Sequence, residues 1–298
     1  MNNIIIDIYN VIFCYLNLSE IKIIRNVDKT LYNYTNEFVK YMNNENIDIK
    51  EYKIRIMEIA YSYDLLEWIK NYGYEWNIKT GWFAAANGNI KQLKILENMK
   101  DIFNEKTFIY AIKYGQLECL KYLHKIGCPW DRSVCRKASK KGKLECLKYL
   151  HENNFPWNKQ TCISAAKNGH IECLKYAHEN GCQWDENTCH KAAEYNNIEC
   201  LKYAHENGCR WNIYTCKEAA KNGHIECLKY AHENNCPWNE SICSTAAEYG
   251  NLECLKYAHE NGCQWDEDTC TYAFINKNME CLEYALKNGC PCKLDAYM

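Results

Sequence analysis

Cysteine, histidine and tryptophan are the residues here that could do chemistry, and each returns at one fixed interval. Cys119, Cys146, Cys173, Cys200, Cys227, Cys254 and Cys281 stand 27 residues apart. The same spacing holds for His124, His151, His178, His205, His232 and His259, and for Trp130, Trp157, Trp184, Trp211, Trp238 and Trp265. Of the 21 cysteines, all but Cys14 and Cys292 occupy three positions of this register, exemplified by Cys162, Cys173 and Cys182. Thiolates and imidazoles bind zinc when cysteines are paired about two to four residues apart or joined by histidine. Only Cys290-Pro291-Cys292 is close to such a pair in sequence. A disulfide needs Cα atoms within about 7 Å, whereas equivalent residues of packed helical units lie about 8 to 10 Å apart. The cysteines are therefore expected as reduced thiols acting as small hydrophobes. A catalytic histidine has no reason to occur six times, and the series suits a seam between repeated units better. There is no Gly-rich phosphate loop, no G-x-S-x-G elbow and no H-E-x-x-H. The chain is expected not to be an enzyme, with no catalytic residue, metal or cofactor. The rival from a different class is a metal- or redox-responsive Cys/His protein, which thiol titration with metal analysis decides.

Lys plus Arg number 36 against 38 Asp plus Glu, a net charge of -2. So even a balance offers no general attraction to nucleic acid or an acidic membrane surface. No apolar stretch reaches the roughly 18 to 20 residues of a spanning helix. Met1 to Asp7 lacks the basic stretch and small-residue cleavage site of a secretory signal. An odd number of cysteines in a long chain without that signal also argues against a secreted disulfide scaffold. An intracellular, cytoplasmic monomer is expected.

The elements behind this register are short helices. Units start at 53, 80, 107, 134, 161, 188, 215, 242 and 269, giving about nine repeats over 53–298 after a helical N-terminal segment, 1–52. In the unit Thr161 to Asn187, Thr161 reads as an N-cap, Cys162 to Lys167 as a first helix, and Asn168-Gly169 as its left-handed end. A second helix over about Ile171 to Glu179 stops at Asn180-Gly181. Its apolar residues Ile171 and Leu174 share one face with Ala177 or His178, while Glu172, Lys175 and Glu179 form a solvated stripe. Helices of two to three turns are unstable alone in water, so each unit must pack on its neighbours. Ala165-Ala166, Ala192-Ala193, Ala219-Ala220 and Ala246-Ala247 allow adjacent first helices close approach, and the tryptophans follow the second helix as covers for each inter-unit edge.

Residues 161 to 182, Thr-Cys-Ile-Ser-Ala-Ala-Lys-Asn-Gly-His-Ile-Glu-Cys-Leu-Lys-Tyr-Ala-His-Glu-Asn-Gly-Cys, resemble an ankyrin repeat through Thr161, Ala165, Ala166, Gly169-His170-Ile171-Glu172, Lys175 and Gly181. The resemblance covers 53 to 295 and implies an all-α, ankyrin-like helix-turn-helix solenoid that binds other proteins. Ankyrin units have 33 residues, and these have six fewer. Only five residues separate Cys182 from Thr188, so a tight loop should replace the family's projecting hairpin. The Gly-Cys-x-Trp-Asp/Asn ending is similar to repeats abundant in large DNA viruses of amoebae, which implies a viral protein in host-cell cytoplasm.

Comparing copies separates framework from freedom. Arg136-Lys137, Ile163-Ser164, His190-Lys191, Lys217-Glu218, Ser244-Thr245 and Thr271-Tyr272 vary, as do Gln183, Arg210, Pro237 and Gln264 before tryptophan. The resemblance places first helices and loop ends on the concave side, where such variation produces partner-specific recognition. Arg136, Lys137, Ile163, Ser164, His190, Lys191, Lys217, Glu218, Ser244 and Thr245 are the candidate protein-binding residues.

Near the N-terminus, Asp7-Ile8-Tyr9-Asn10-Val11-Ile12-Phe13-Cys14-Tyr15-Leu16, then Glu20-Ile21 and Arg25 to Leu31, resemble an F-box, with Ile5 at the family's Pro position and Leu31 at its last aromatic. The resemblance implies docking of Ile8, Ile12, Phe13 and Leu16 onto a Skp-type adaptor of a cullin–RING ubiquitin ligase, with the repeats selecting its substrate. The alternative is a helical cap over the first repeat.

Overall fold

In the computed structural model, residues 77–99 and 101–292 are described, and they form helices alone, without strands. The chain divides into two compact units, the first ending at Asp131 and the second beginning at Arg132. The first unit holds α1 (Ile78–Ala86), α2 (Ile90–Leu96), α3 (Glu105–Tyr114) and α4 (Leu117–Lys125). In it α1 packs on α3 and α2 on α4. The second unit holds α5 (Val134–Lys140), α6 (Leu144–Glu152), α7 (Lys159–Lys167), α8 (Ile171–Glu179), α9 (Glu186–Glu194) and α10 (Ile198–Glu206). It continues with α11 (Ile213–Lys221), α12 (Ile225–Glu233), α13 (Ser241–Glu248), α14 (Leu252–Glu260), α15 (Glu267–Ile275) and α16 (Met279–Lys287). There α5, α7, α9, α11, α13 and α15 stack side by side as one row, and α6, α8, α10, α12, α14 and α16 as another.

Each helical pair matches one repeat of the register. The first repeat from position 53, the boundary at 52/53 and the F-box-like residues Ile8, Ile12, Phe13 and Leu16 lie outside the described residues. Between Cys182 and α9 the chain runs as a short loop where a hairpin would project in a longer repeat.

Helices this short depend on what they bury. Ala165, Ala166, Leu174, Ala177 and Cys162 are fully buried, and Cys173 and Cys182 nearly so. First helices bury small residues such as Ala165 and Ala166 in the stack, and second helices bury leucines such as Leu147, Leu150 and Leu174. Glycine supplies the turn between helices: Gly169 sits at φ 72°, in the left-handed region that costs other residues free energy. A link between repeats lies just beyond it. Asn197 Nδ2 donates to Ala166 O at 2.8 Å and Lys167 O at 2.9 Å, capping the end of α7 from the next repeat. Asn251 and Asn278 do the same, and His224 Nε2 donates to Glu194 O at 3.1 Å.

The helix start differs from the sequence reading. Asn158, not Thr161, caps α7: its backbone is extended and its side chain accepts from Gln160 N at 3.0 Å. Asp185, Asn212 and Asp266 cap their helices identically. Thr161 stands inside the first turn, buried. The physical reason is reach, since the short Asn or Asp side chain after each tryptophan meets the second backbone N–H beyond it. The tryptophan-Asn/Asp pair is thus the true start signal.

The cysteine reading needs one correction. Cys270 and Cys292 form a disulfide with Cα atoms 5.7 Å apart. They are not equivalent residues of neighbouring repeats but members of one repeat, 22 residues apart, so the spacing between stacked helices does not separate them. The other described cysteines are free and buried. Burial pushes the thiols of Cys119, Cys128, Cys135, Cys200 and Cys254 up to about 12, which leaves them protonated and unreactive at neutral pH.

Candidate functional site

In the row of first helices, the second and sixth residues of each repeat point into the stack, and the third, fourth and seventh are the ones that can reach solvent. Arg136 is exposed, while Lys137, Ser164, His190, Lys191, Lys217 and Glu218 are half-buried. Ile163 and Ser244 keep only 8% exposure and Thr245 4%. Those three cannot form a docking surface as expected from variation alone. At these positions Ile163, Ser244 and Thr245 are covered by their surroundings, whereas the long side chains of Lys191, Lys217 and Glu218 emerge, with Ser164 beside them.

Between α9 and α11 the emergent side chains converge. His190 Nε2 lies 3.5 Å from Glu194 Oε2, one helical turn along. Lys191 is hydrogen-bonded to the same carboxylate, and the His190 ring stacks against Tyr214 with centroids 6.2 Å apart. Burial, reinforced by the Lys191 charge, holds His190 below the ordinary imidazole range, so it is neutral at pH 7. Glu194 loses solvation on burial, yet the Lys191 bonds outweigh this and hold its carboxyl below the usual range. Glu218 completes a His, Glu, Glu group whose ligand atoms all lie within 4.8 Å. With Lys191 neutralising Glu194, the group is a closed charge network in the face.

The variable positions named in the sequence include Tyr272 but miss the rest of the exposed apolar surface of this face. Tyr195, Tyr214 and Tyr249 are each close to half exposed, and Tyr272 and Ile275 join them. Lys167 lies 4.4 Å over the Tyr195 ring and Lys221 5.2 Å over that of Tyr249. Tyr195 and Tyr249 sit at the ends of first helices, where Asn168, Asn222 and Asn276 alternate with them from copy to copy, while Tyr214 lies in the first turn of α11 and Tyr272 inside α15. That alternation was the available signal.

The periodic histidines and tryptophans stand elsewhere, along the second helices. The His178 ring stacks on Trp184 with centroids 3.7 Å apart, and its Nδ1 shares a 3.1 Å hydrogen bond with the Tyr203 hydroxyl of the next repeat. Trp184 meets the edge of Tyr203 at 6.2 Å. The same triad recurs as His151, Trp157, Tyr176 and as His205, Trp211, Tyr230, through to His259, Trp265, Tyr284. With one side chain committed to stacking and the ring nitrogen to tyrosine, this seam holds repeats together. The Glu172–Lys175 pair at 3.4 Å, and its equivalents, lie on the exposed stripe as the charge pattern requires.

Residues 135–178 and 189–232 match the family model described as ankyrin repeats in many copies. Among solved structures, the crystal structure of the human ASB11 ankyrin repeat domain is similar, with 21% identity and a TM-score of 0.47 over 53% of this chain and 84% of that one. No curated protein matches. No described helix is long and apolar enough to cross a membrane. The described residues are all-helical ankyrin-like repeats.

Proposed function

We propose that this chain is a non-catalytic scaffold that binds a protein partner through the first-helix face of its second unit. The observation that carries this reading is a division of labour within each first helix. Residues repeated from copy to copy, such as Ala192, Ala193 and Cys189, are fully buried, while those that emerge beside them change between copies, as at Arg136, His190 and Lys217. His190, Lys191, Lys217 and Glu218, bordered by exposed Tyr195 and Tyr214, offer charge and aromatic surface together. Such a combination suits protein interfaces, where tyrosine and arginine contribute most.

In the test, Arg136→Ala, His190→Ala, Lys217→Ala and Tyr214→Ala variants are compared with the parent chain for capture of binding proteins, quantified by mass spectrometry. Capture is expected to fall together for the set, with Tyr214→Ala weakening binding by a factor of about thirty if it is an anchoring residue worth roughly 2 kcal/mol. Melting temperature should stay unchanged. Capture at parental levels by all four variants sinks the proposed face.

The adaptor reading has support from the sequence of residues 1 to 40 alone. A chain acting as a substrate receptor should co-purify with a Skp-type adaptor through Ile8, Ile12, Phe13 and Leu16, and lose it when residues 1 to 40 are deleted. Absence of the adaptor from the full-length chain leaves the capping alternative.

A further inference from the structure

We propose that Cys270, Cys290 and Cys292, once reduced, form a three-thiolate site for a soft metal ion of the zinc(II) or copper(I) class. This site is separate from the protein-binding face and does not rest on it. Elsewhere in the second unit every repeat except that of Cys135 and Phe155 carries two neighbouring thiols, one on the first helix and one after the second. Cys162 with Cys182 and Cys189 with Cys209 are such pairs, the first thiol of each donating to the backbone carbonyl of the second cysteine at 3.8 and 3.9 Å. The repeat of α15 and α16 keeps this pair as Cys270 and Cys290. It adds a third cysteine at the register position that carries Trp238 and Trp265 in the preceding copies.

The sulfur atoms of all three lie within 4.8 Å of one another. Zinc–sulfur bonds of about 2.3 Å in tetrahedral geometry place sulfurs about 3.8 Å apart, so the group needs only small shifts to close on an ion. Cys270 is fixed on α15, and Pro291 restricts the backbone between Cys290 and Cys292. Cys270 and Cys290 are buried while Cys292 is half-buried. A site with two sealed ligands and one near the surface has an approach for the ion and room for a fourth ligand. Thiolate ligands select soft or borderline ions over magnesium or calcium.

The disulfide between Cys270 and Cys292 is the oxidised, metal-free state of this group. A dithiol reductant breaks the sulfur–sulfur bond, supplies two electrons and two protons to the two sulfurs, and ends as its own disulfide. Zinc binding then displaces three thiol protons, including the one Cys290 donates to Asp266 O at 3.2 Å.

The test uses the full chain, reduced with dithiothreitol, desalted without air and titrated with cadmium(II). Thiolate-to-cadmium absorption saturating at a single equivalent is expected for the parent and for Cys254→Ser, a buried control on α14. For Cys292→Ser the affinity should fall at least tenfold. The same zinc-loaded parent, examined by X-ray absorption, should show three sulfur neighbours at zinc, a readout that does not depend on any variant folding. No charge-transfer band in the reduced parent, an undiminished band in Cys292→Ser, or fewer than three sulfurs at zinc overturns the proposal.

Discussion

Trp184→Ala should lower stability by about 2 to 3 kcal/mol, well beyond what a surface residue costs. Full truncation of a buried tryptophan or phenylalanine costs roughly 3 to 5 kcal/mol, and Trp184 is only half-buried, which sets the lower figure. The loss has three parts. The stacking surface under His178 disappears, the edge contact with Tyr203 goes with it, and the hydrogen bond between His178 Nδ1 and the Tyr203 hydroxyl becomes open to water. In a stacked array each repeat leans on its neighbours, so the damage should concentrate at one interface. Hydrogen exchange is therefore expected to accelerate in α8 and α10 more than in α14 and α16, alongside a lowered denaturation midpoint. Uniform acceleration, or a change below about 0.5 kcal/mol, the range of ordinary surface substitutions, would mean that the triad is decoration.

Much of this seam is legible in the sequence, because histidine and tryptophan repeat in register and second helices follow from the spacing of Ile171, Leu174 and Ala177. The tyrosine was equally periodic but carried no visible role. Its hydroxyl meets a histidine 25 residues earlier, and that pairing depends on how far apart two repeats stack, a quantity set by the alanines of the other helix row. Asn197 was hidden for the same reason, its acceptors Ala166 O and Lys167 O lying in another repeat. The capping error at Thr161 was local: threonine and Asn158 are both acceptable caps by type, and only the backbone direction after Trp157 decides between them. On the candidate face, His190, Lys191, Lys217 and Glu218 retain partial exposure, whereas Ile163, Ser244 and Thr245, at equally variable positions, are buried. Variability records what a position tolerates. Exposure depends also on the length of the side chains alongside.

The same stacking distance separates two glycines that look alike in sequence. Gly169 and Gly181 both end helices in the left-handed region, at φ 72° and 83°. A Cβ on Gly181 would meet nothing within 4 Å, whereas one on Gly169 would stand 2.5 Å from Asn197 Oδ1. Gly181→Ala should therefore cost only the left-handed conformation, about 1 to 2 kcal/mol. Gly169→Ala adds displacement of the Asn197 side chain and loss of its two bonds to α7. At roughly 1 kcal/mol per hydrogen bond, the total is about 3 to 4 kcal/mol. Chemical denaturation of the two variants gives the comparison directly. A double variant, Gly169→Ala with Asn197→Ala, should cost no more than Gly169→Ala alone, since both substitutions remove the same two bonds and the shortened side chain no longer meets the new methyl group. Equal costs for the two glycines, or full additivity in the double variant, would mean that Asn197 does not lock one repeat to the next and that close stacking of the first helices is held by their alanines alone.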